Sequence, residues 1–339
     1  MEIQGLIKVF VMEKVAVVMD WGGTWVRAGV VDSDGNLLWH DRSLNKVGGT
    51  QSELISGAYR VLQNALRWCE DRDVVGVGIA SAGPIDAESG IFYNPPNLQV
   101  LDGVCIKEIL EEATGYPIVI GNDATMAALG EYNYGAGRDP DDGIEFSRTL
   151  LYLTISTGVG GGVIDRGKMV LGTHGMAAEV GHMRIDSDDS APACQCGNIG
   201  CLEALVSGTS IVRLFNLELD QVADKRVKSD WNEKGIDTQA IFEAANYGDS
   251  TAKAILTKVA GDLSVGITNL VHLFNPDLIV LGGGVSLSLA KYGYIETIRD
   301  IVTDSVMSSR HKEFRIKPAK LGDSAGLIGA ACLIWEQFV

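Results

Sequence analysis

Cys194, Cys196 and Cys201 lie within eight positions of one another, and His182 stands a short distance upstream. Zinc favours tetrahedral sulfur and nitrogen ligands, and this quartet fills all four positions, leaving none for a catalytic water. A site of this kind would be structural. Ordinary buried or surface thiols are the alternative, because Cys-x-Cys-x4-Cys is tighter than common finger spacings; a catalytic cysteine ranks below both. A second device is the glycine turn formed by Gly22, Gly23 and Thr24, whose clustered N–H groups and hydroxyl suit phosphate oxygens. Asp20, at the strand end before it, could hold Mg²⁺ through water, because hard cations favour carboxylate oxygen. Thr157, Gly158 and Gly160 repeat the turn in the second half. Plain hairpins would explain either turn alone; their recurrence at matching places argues for a polyphosphate held from both sides. The Gly-x4-Gly-Lys-Ser/Thr loop is absent.

The elements that must carry these turns also repeat. The β-branched run 15–20 breaks at the first turn, resumes over 25–31, turns at Asp34, Gly35 and Asn36, and resumes over 37–39. Residues 150–156 break at 157–161, continue over 162–164, turn at 165–167 and resume over 168–171. Helical spacing follows in each half: Leu54, Ile55, Ala58, Val61, Leu62, Ala65, Leu66 and Cys69 in the first, Ala254, Ile255, Lys258, Val259, Leu263, Ile267, Leu270 and Val271 in the second. Strands are expected over 74–80, 118–121 and 277–281, a helix from Ala124 through about Tyr134, and a terminal helix over 326–335. The fold class is therefore α/β: two related lobes of mixed sheet with flanking helices around a central cleft. The lobes are expected at 1–120, with 321–339 packing back on it, and at 121–320, with a zinc loop at 182–203. Segments 138–148 and 219–235 read as insertions.

Composition narrows the function. With 339 residues, 46% of them hydrophobic, the chain exceeds the size at which one core usually stops growing. Its 28 basic and 44 acidic residues give a net charge of −16, which argues against nucleic acid and anionic membranes as partners. No leader-like segment opens the sequence and no run of about 18 apolar residues follows, so a cytoplasmic location is expected. Few, clustered cysteines suit a reducing compartment and metal ligation better than disulfides.

Taken together, Asp20, Gly22, Gly23, Thr24 and Arg27; Asn122 and Asp123; the 156–161 stretch; Glu179 with His182; the 194–203 knot; and Gly282, Gly283 and Gly284 resemble the ROK family of sugar kinases and repressors. The motifs occur in the family's order from about Val15 to the C-terminus, and the knot with its upstream histidine is the most specific of them. The resemblance implies the actin/hexokinase-like fold of ribonuclease H-like repeats. It also implies transfer of the ATP γ-phosphoryl group to a hexose hydroxyl, usually O6, with Asp123 as the base. A carboxylate that orients the hydroxyl and takes its proton late in a loose transition state suffices for this chemistry. Without the other motifs, Asn122 and Asp123 would read as a helix-capping pair. Asp20 is the rival base, although its place suits Mg²⁺ better.

By the same correspondence Gly83, Asn97, Asn122, Glu179, His182 and Glu203 would meet the sugar. Arg27 and the two phosphate turns would serve ATP, and Gly282 and Gly283 would lie against the adenosine. Asn97 read alone is a turn residue. His40, His174, His272 and His311 show no partner pattern. Glucose is the commonest substrate among kinases of this family; N-acetylmannosamine and N-acetylglucosamine kinases share its motifs. Repressors of the family carry a DNA-binding segment of several dozen residues ahead of the first turn, and nineteen residues precede Asp20, so a kinase is expected over a non-catalytic sugar-sensing regulator. A homodimer or homotetramer is the expected assembly.

Overall fold

The first strands, β1 (Lys14–Trp21), β2 (Trp25–Asp32) and β3 (Leu37–Leu44), form an antiparallel meander, as the alternating β-branched runs require. In this computed structural model, residues 12–46, 48–138, 146–221, 231 and 235–339 are described. Most of the expected 138–148 and 219–235 insertions, and the first eleven residues, lie outside them.

Helix α1 (Gln51–Trp68) begins at a capping box in which Thr50 and Glu53 satisfy each other's backbone N–H groups. Of the stripe read from the sequence it buries Leu54, Ala58, Val61, Leu62 and Ala65, with Ile55 and Leu66 half-buried at its flank. β4 (Asp73–Ser81), α2 (Ile106–Thr114), β5 (Ile118–Asn122) and α3 (Asp123–Tyr134) follow. β4 runs parallel to β1, and β5 parallel to β4, giving the order β3-β2-β1-β4-β5.

The second half repeats this arrangement. β6 (Thr149–Ile155), β7 (Val159–Asp165) and the short β8 (Lys168–Met169) are antiparallel neighbours. They are followed by α4 (Leu202–Val206), α5 (Gly208–Gln221), α6 (Thr238–Asn246), α7 (Ser250–Phe274), β9 (Leu278–Gly282), α8 (Gly283–Lys291), α9 (Tyr294–Ser305), β10 (Arg315–Pro318) and α10 (Ala325–Phe338). The sheet order is β10-β9-β6-β7-β8, with β9 parallel to β6 and to β10. Read from the other edge, this is the topology of the first sheet, so the internal repeat is real. β10 had no clear sequence signal, being four residues of alternating charge and bulk.

The chain divides into two compact units, Met1–Met126 with Gly326–Val339, and Ala127–Ala325. In the first, α10 lies on β4 because Gly76 and Gly78 have no side chains: a Cβ at Gly78 would stand 2.5 Å from the Ala330 carbonyl oxygen. In the second, α7 is long and apolar enough to cross a membrane, yet it is a core helix that buries Ile255, Val259, Leu263, Ile267 and Leu270.

The second unit also holds a carboxylate that sequence reasoning missed. Glu131 is fully buried, and its oxygens accept from the backbone N–H groups of Ala136 (2.8 Å), Lys320 (3.1 Å) and Leu321 (2.7 Å). It ties α3 to the loop ahead of α10. Glu131→Ala would strand three donors and is expected to lower stability by about 3 kcal/mol or more, read from urea unfolding. A loss below 1 kcal/mol would contradict that role.

Candidate functional site

In the first unit, strand register gathers the expected residues. Asp20 pairs with Ala80, and Ala80 with Gly121; one step on, Trp21 aligns with Ser81 and Ser81 with Asn122. Asp20, Gly83 and Asn122 with Asp123 therefore leave the sheet at the carboxyl ends of three adjacent strands, where open α/β sheets bind ligands. Asn122 is the helix cap: its Oδ1 accepts from Ala124 N at 2.9 Å and Thr125 N at 3.2 Å. Asp123, expected just ahead of the helix, is its first residue, and its Oδ1 accepts from Ala124 N at 2.7 Å. A carboxylate is favoured at that positive helix end. Gly83 lies against the Asn122 amide, where a Cβ would stand 3.2 Å from Nδ2.

The turn before β2 closes on itself, with Gly22 N donating to the Trp25 carbonyl at 2.9 Å. Asn45 Nδ2 donates to the Gly22 carbonyl at 3.0 Å, and Asn45 N to the Thr24 carbonyl at 2.8 Å, so these oxygens are held by protein groups. Asn45 has no motif signal; only the pairing of β2 with β3 brings it to the turn. Asn97 sits over Gly23, where a Cβ would stand 2.9 Å from its own Cβ. Arg27 lies opposite Asp20 in the β1–β2 register, with its guanidinium 3.5 Å from the carboxylate. Gly326 of α10 approaches the same carboxylate: a Cβ there would be 3.9 Å from Asp20 Cγ and 4.0 Å from the Asp123 carbonyl.

In the second unit the expected turn is shorter. Only residues 156–158 lie between β6 and β7; Gly160 is a strand residue opposite Thr154, not part of the turn. The glycines there serve packing as well as turning. A Cβ at Gly161 would stand 2.5 Å from Val180 Cγ2, a position that β-pairing allows and a side chain would not. Gly158 has the same need, because a Cβ would stand 2.6 Å from Glu203 Oε2. Gly282 and Gly283 likewise have reasons within the protein. Gly282 is buried beneath the Tyr152 ring, while Gly283 opens α8 at φ +84° against the Ile155 backbone. Gly284 faces open space.

The four expected metal ligands converge. One ligand atom from each of His182, Cys194, Cys196 and Cys201 lies within 4.8 Å of all the others. Zn–S bonds of about 2.3 Å and Zn–N bonds of about 2.0–2.1 Å place tetrahedral S···S edges near 3.8 Å and S···N edges near 3.5 Å. Cys196 Sγ and Cys201 Sγ are 3.7 Å apart, and Cys194 Sγ and His182 Nδ1 are 3.5 Å apart. The donor set fits zinc in both chemistry and size. Burial pushes the Cys194 thiol up to about 12 and raises Cys201 as well. Burial also works against Cys196, but the Asn198 N–H and the neighbouring thiols bring it down to about 7. A metal held here must displace the protons of Cys194 and Cys201, so its affinity weakens as pH is lowered.

Glu179 and Glu203 flank this cluster. Glu203 Oε2 accepts from Val159 N at 3.0 Å, and Oε1 lies 3.6 Å from Cys194 Sγ. The Glu179 carboxyl has a raised pKa, chiefly through desolvation; His182 opposes that shift and Glu203 adds to it. Of the remaining histidines, His272 accepts from Met307 N at 3.1 Å and stacks edge-on with His311. Thr209, at the end of the cysteine stretch, is a further residue without a sequence signal; its hydroxyl donates to the Thr157 carbonyl at 2.9 Å.

Two mixed sheets of one topology, each with a glycine turn at its carboxyl edge, define a repeated α/β protein of the actin/hexokinase-like class. The chain belongs to the ROK family, whose model matches residues 16–337. It is 32% identical over 322 residues to a glucokinase of Thermotoga maritima, covering 94% of this chain and 96% of that protein. It is 30% identical to an N-acetylmannosamine kinase of Escherichia coli, covering 93% and 96%. Among solved structures, a ROK family glucokinase from Streptomyces griseus in complex with glucose and AMPPNP superposes with a TM-score of 0.77 at 31% identity, covering 95% of this chain and 99% of that one.

Proposed function

We propose that this protein is an ATP-dependent hexose kinase that transfers the γ-phosphoryl group to the 6-hydroxyl of glucose or a related hexose. The observation that carries the reading is the alignment of Asp20, the 22–24 turn, Gly83, Asn122 and Asp123 at one sheet edge. Asn122 caps the helix and thereby fixes the backbone on which Asp123 is carried. Asp123 then orients the sugar hydroxyl and receives its proton as the oxygen–phosphorus bond forms and the bond to the ADP oxygen breaks. Gly83 and Asn97 border the sugar. The N–H groups of Gly23 and Thr24 in the first turn, and the Thr157 and Gly158 turn, would receive phosphate oxygens, while the Gly22 N–H closes the first turn on the Trp25 carbonyl. Asp20, held by Arg27, would carry Mg²⁺, which supplies neutralisation of phosphate charge. Glu179, His182 and Glu203 would read the sugar hydroxyls, with zinc in the knot holding their segment in shape. Gly282 and Gly283 would border the adenosine.

The similarity to an N-acetylmannosamine kinase supports a second substrate reading, an N-acetylhexosamine in place of glucose. A coupled assay with ATP across glucose, mannose, fructose and their N-acetylamino derivatives separates the two. Phosphorylation of none of them would leave the sugar-sensing regulator as the better reading.

The raised pKa of Glu179 gives a pH prediction. A carboxyl with a raised pKa keeps its proton to higher pH, so its full acceptor capacity is lost as pH falls through that raised value. The sugar kcat/KM is expected to decline on acidification before the ordinary carboxylate range near pH 4.3 is reached. Glu179→Gln should remove that limb of the profile. An identical limb in the variant would assign it to another group.

A further inference from the structure

We propose that the stretch 201–209 is a strut that couples the zinc knot to the nucleotide turn, with Glu203 and Thr209 as positioning residues. The proposal rests on the kinase reading, and on contacts within the second unit. Ser156 and Thr157 of the 156–158 turn and Val159, the first residue of β7, are fastened to this one stretch. Gly208 N donates to the Ser156 carbonyl at 2.7 Å, the Thr209 hydroxyl to the Thr157 carbonyl at 2.9 Å, and Val159 N to Glu203 Oε2 at 3.0 Å. Glu203 Oε2 also occupies the space a Gly158 side chain would need.

The other end of the stretch is the metal cluster. Cys201 is the residue that opens α4, Glu203 is the second residue of that helix, and Glu203 Oε1 is 3.6 Å from Cys194 Sγ. Between the two ends the stretch is stiff. Leu202, Ala204, Leu205 and Val206 are buried, Leu202 N bonds the Met183 carbonyl at 2.9 Å, and the Ser210 hydroxyl bonds the Glu203 carbonyl at 2.9 Å. A displacement of Cys201 therefore has little slack before it reaches the turn. A ligand pays no reorganisation cost on a turn already held in its binding shape, so fixing the turn raises apparent affinity. Zinc in the knot, by fixing Cys201, would thus strengthen binding of the nucleotide's phosphates. Linkage requires the converse: nucleotide must raise zinc affinity by the same factor.

The test measures zinc affinity by competition with a zinc-selective chelator in excess Mg²⁺, with and without AMPPNP, on the full chain. AMPPNP is expected to raise zinc affinity about fivefold or more. In Thr209→Val, which keeps the side-chain volume and removes the hydroxyl, that coupling should fall below about twofold while the thermal midpoint and zinc content stay near the parent's. Thr209→Ser restores the hydroxyl and should restore the coupling. Zinc affinity indifferent to AMPPNP in a parent that binds AMPPNP overturns the strut and leaves the kinase reading standing. Full coupling retained in Thr209→Val, or no recovery in Thr209→Ser, overturns it as well. A zinc-loaded parent that binds no AMPPNP rejects the kinase reading itself, and the strut with it.

Discussion

Replacing Asp123 with alanine is expected to lower kcat for sugar phosphorylation by about 10²–10⁴-fold, the usual worth of a positioned general base. Sugar and AMPPNP affinities should change little, because the cap that shapes this helix end comes from Asn122, not Asp123. Removing the carboxylate leaves the phosphate turns and the rest of the sugar contacts in place. The loss should therefore fall on kcat and kcat/KM together, the signature of an interaction made in the transition state. Asp123→Asn keeps the size and one acceptor oxygen but cannot take the proton, and should be nearly as slow. The measurement is steady-state kinetics beside equilibrium binding of each substrate. An Asp123→Ala enzyme with undiminished turnover would move the base elsewhere, with Asp20 the first candidate.

The second large effect is expected at the knot. Cys201→Ser should abolish zinc retention and cost about 4 kcal/mol or more of stability, in the range reserved for lost metals and disulfides. Cys201 is fully buried and opens α4, and its neighbour Leu202 packs into the second unit's core. Losing the metal would leave Cys194, Cys196 and His182 close together with only local backbone bonds, such as Cys194 N to the Asn198 carbonyl at 2.8 Å, to hold them there. Sugar KM should rise with the loss of stability, since His182 is both ligand and proposed sugar contact. Elemental analysis, a thermal melt and the sugar KM check this together. Unchanged zinc content with an unchanged melt would show that Cys201 is not a ligand.

Much of the site was legible because it consists of short local patterns. The 22–24 turn, the Asn122 cap and the three clustered cysteines depend on residues a few positions apart, so spacing exposed them, with His182 twelve residues ahead of Cys194. The failures have one cause. Gly160 was placed in a turn because glycine suggests bending, yet pairing with Thr154 and the need to clear Val180 at Gly161 put this run in a strand. At Gly282 the sequence pointed only to a ligand, and the further need for glycine, the Tyr152 side chain more than a hundred positions away, was not legible. Asn45, Glu131 and Thr209 gave no signal at all, because their partners lie at Gly22 and Thr24, at Lys320 and Leu321, and at Thr157.

The sequence by itself determined the α/β class, the duplicated strand pattern and the four residues, His182, Cys194, Cys196 and Cys201, that the fold gathers as candidate metal ligands. These follow from hydrophobic period, turn chemistry and side-chain donor type, which act over a few residues. Tertiary structure alone decided which strand ends align, which glycines are needed for packing, and that Glu203 and Thr209 meet the 156–159 segment. Those outcomes depend on hydrogen bonds and contacts between segments distant in sequence, whose geometry exists only once both sheets have formed.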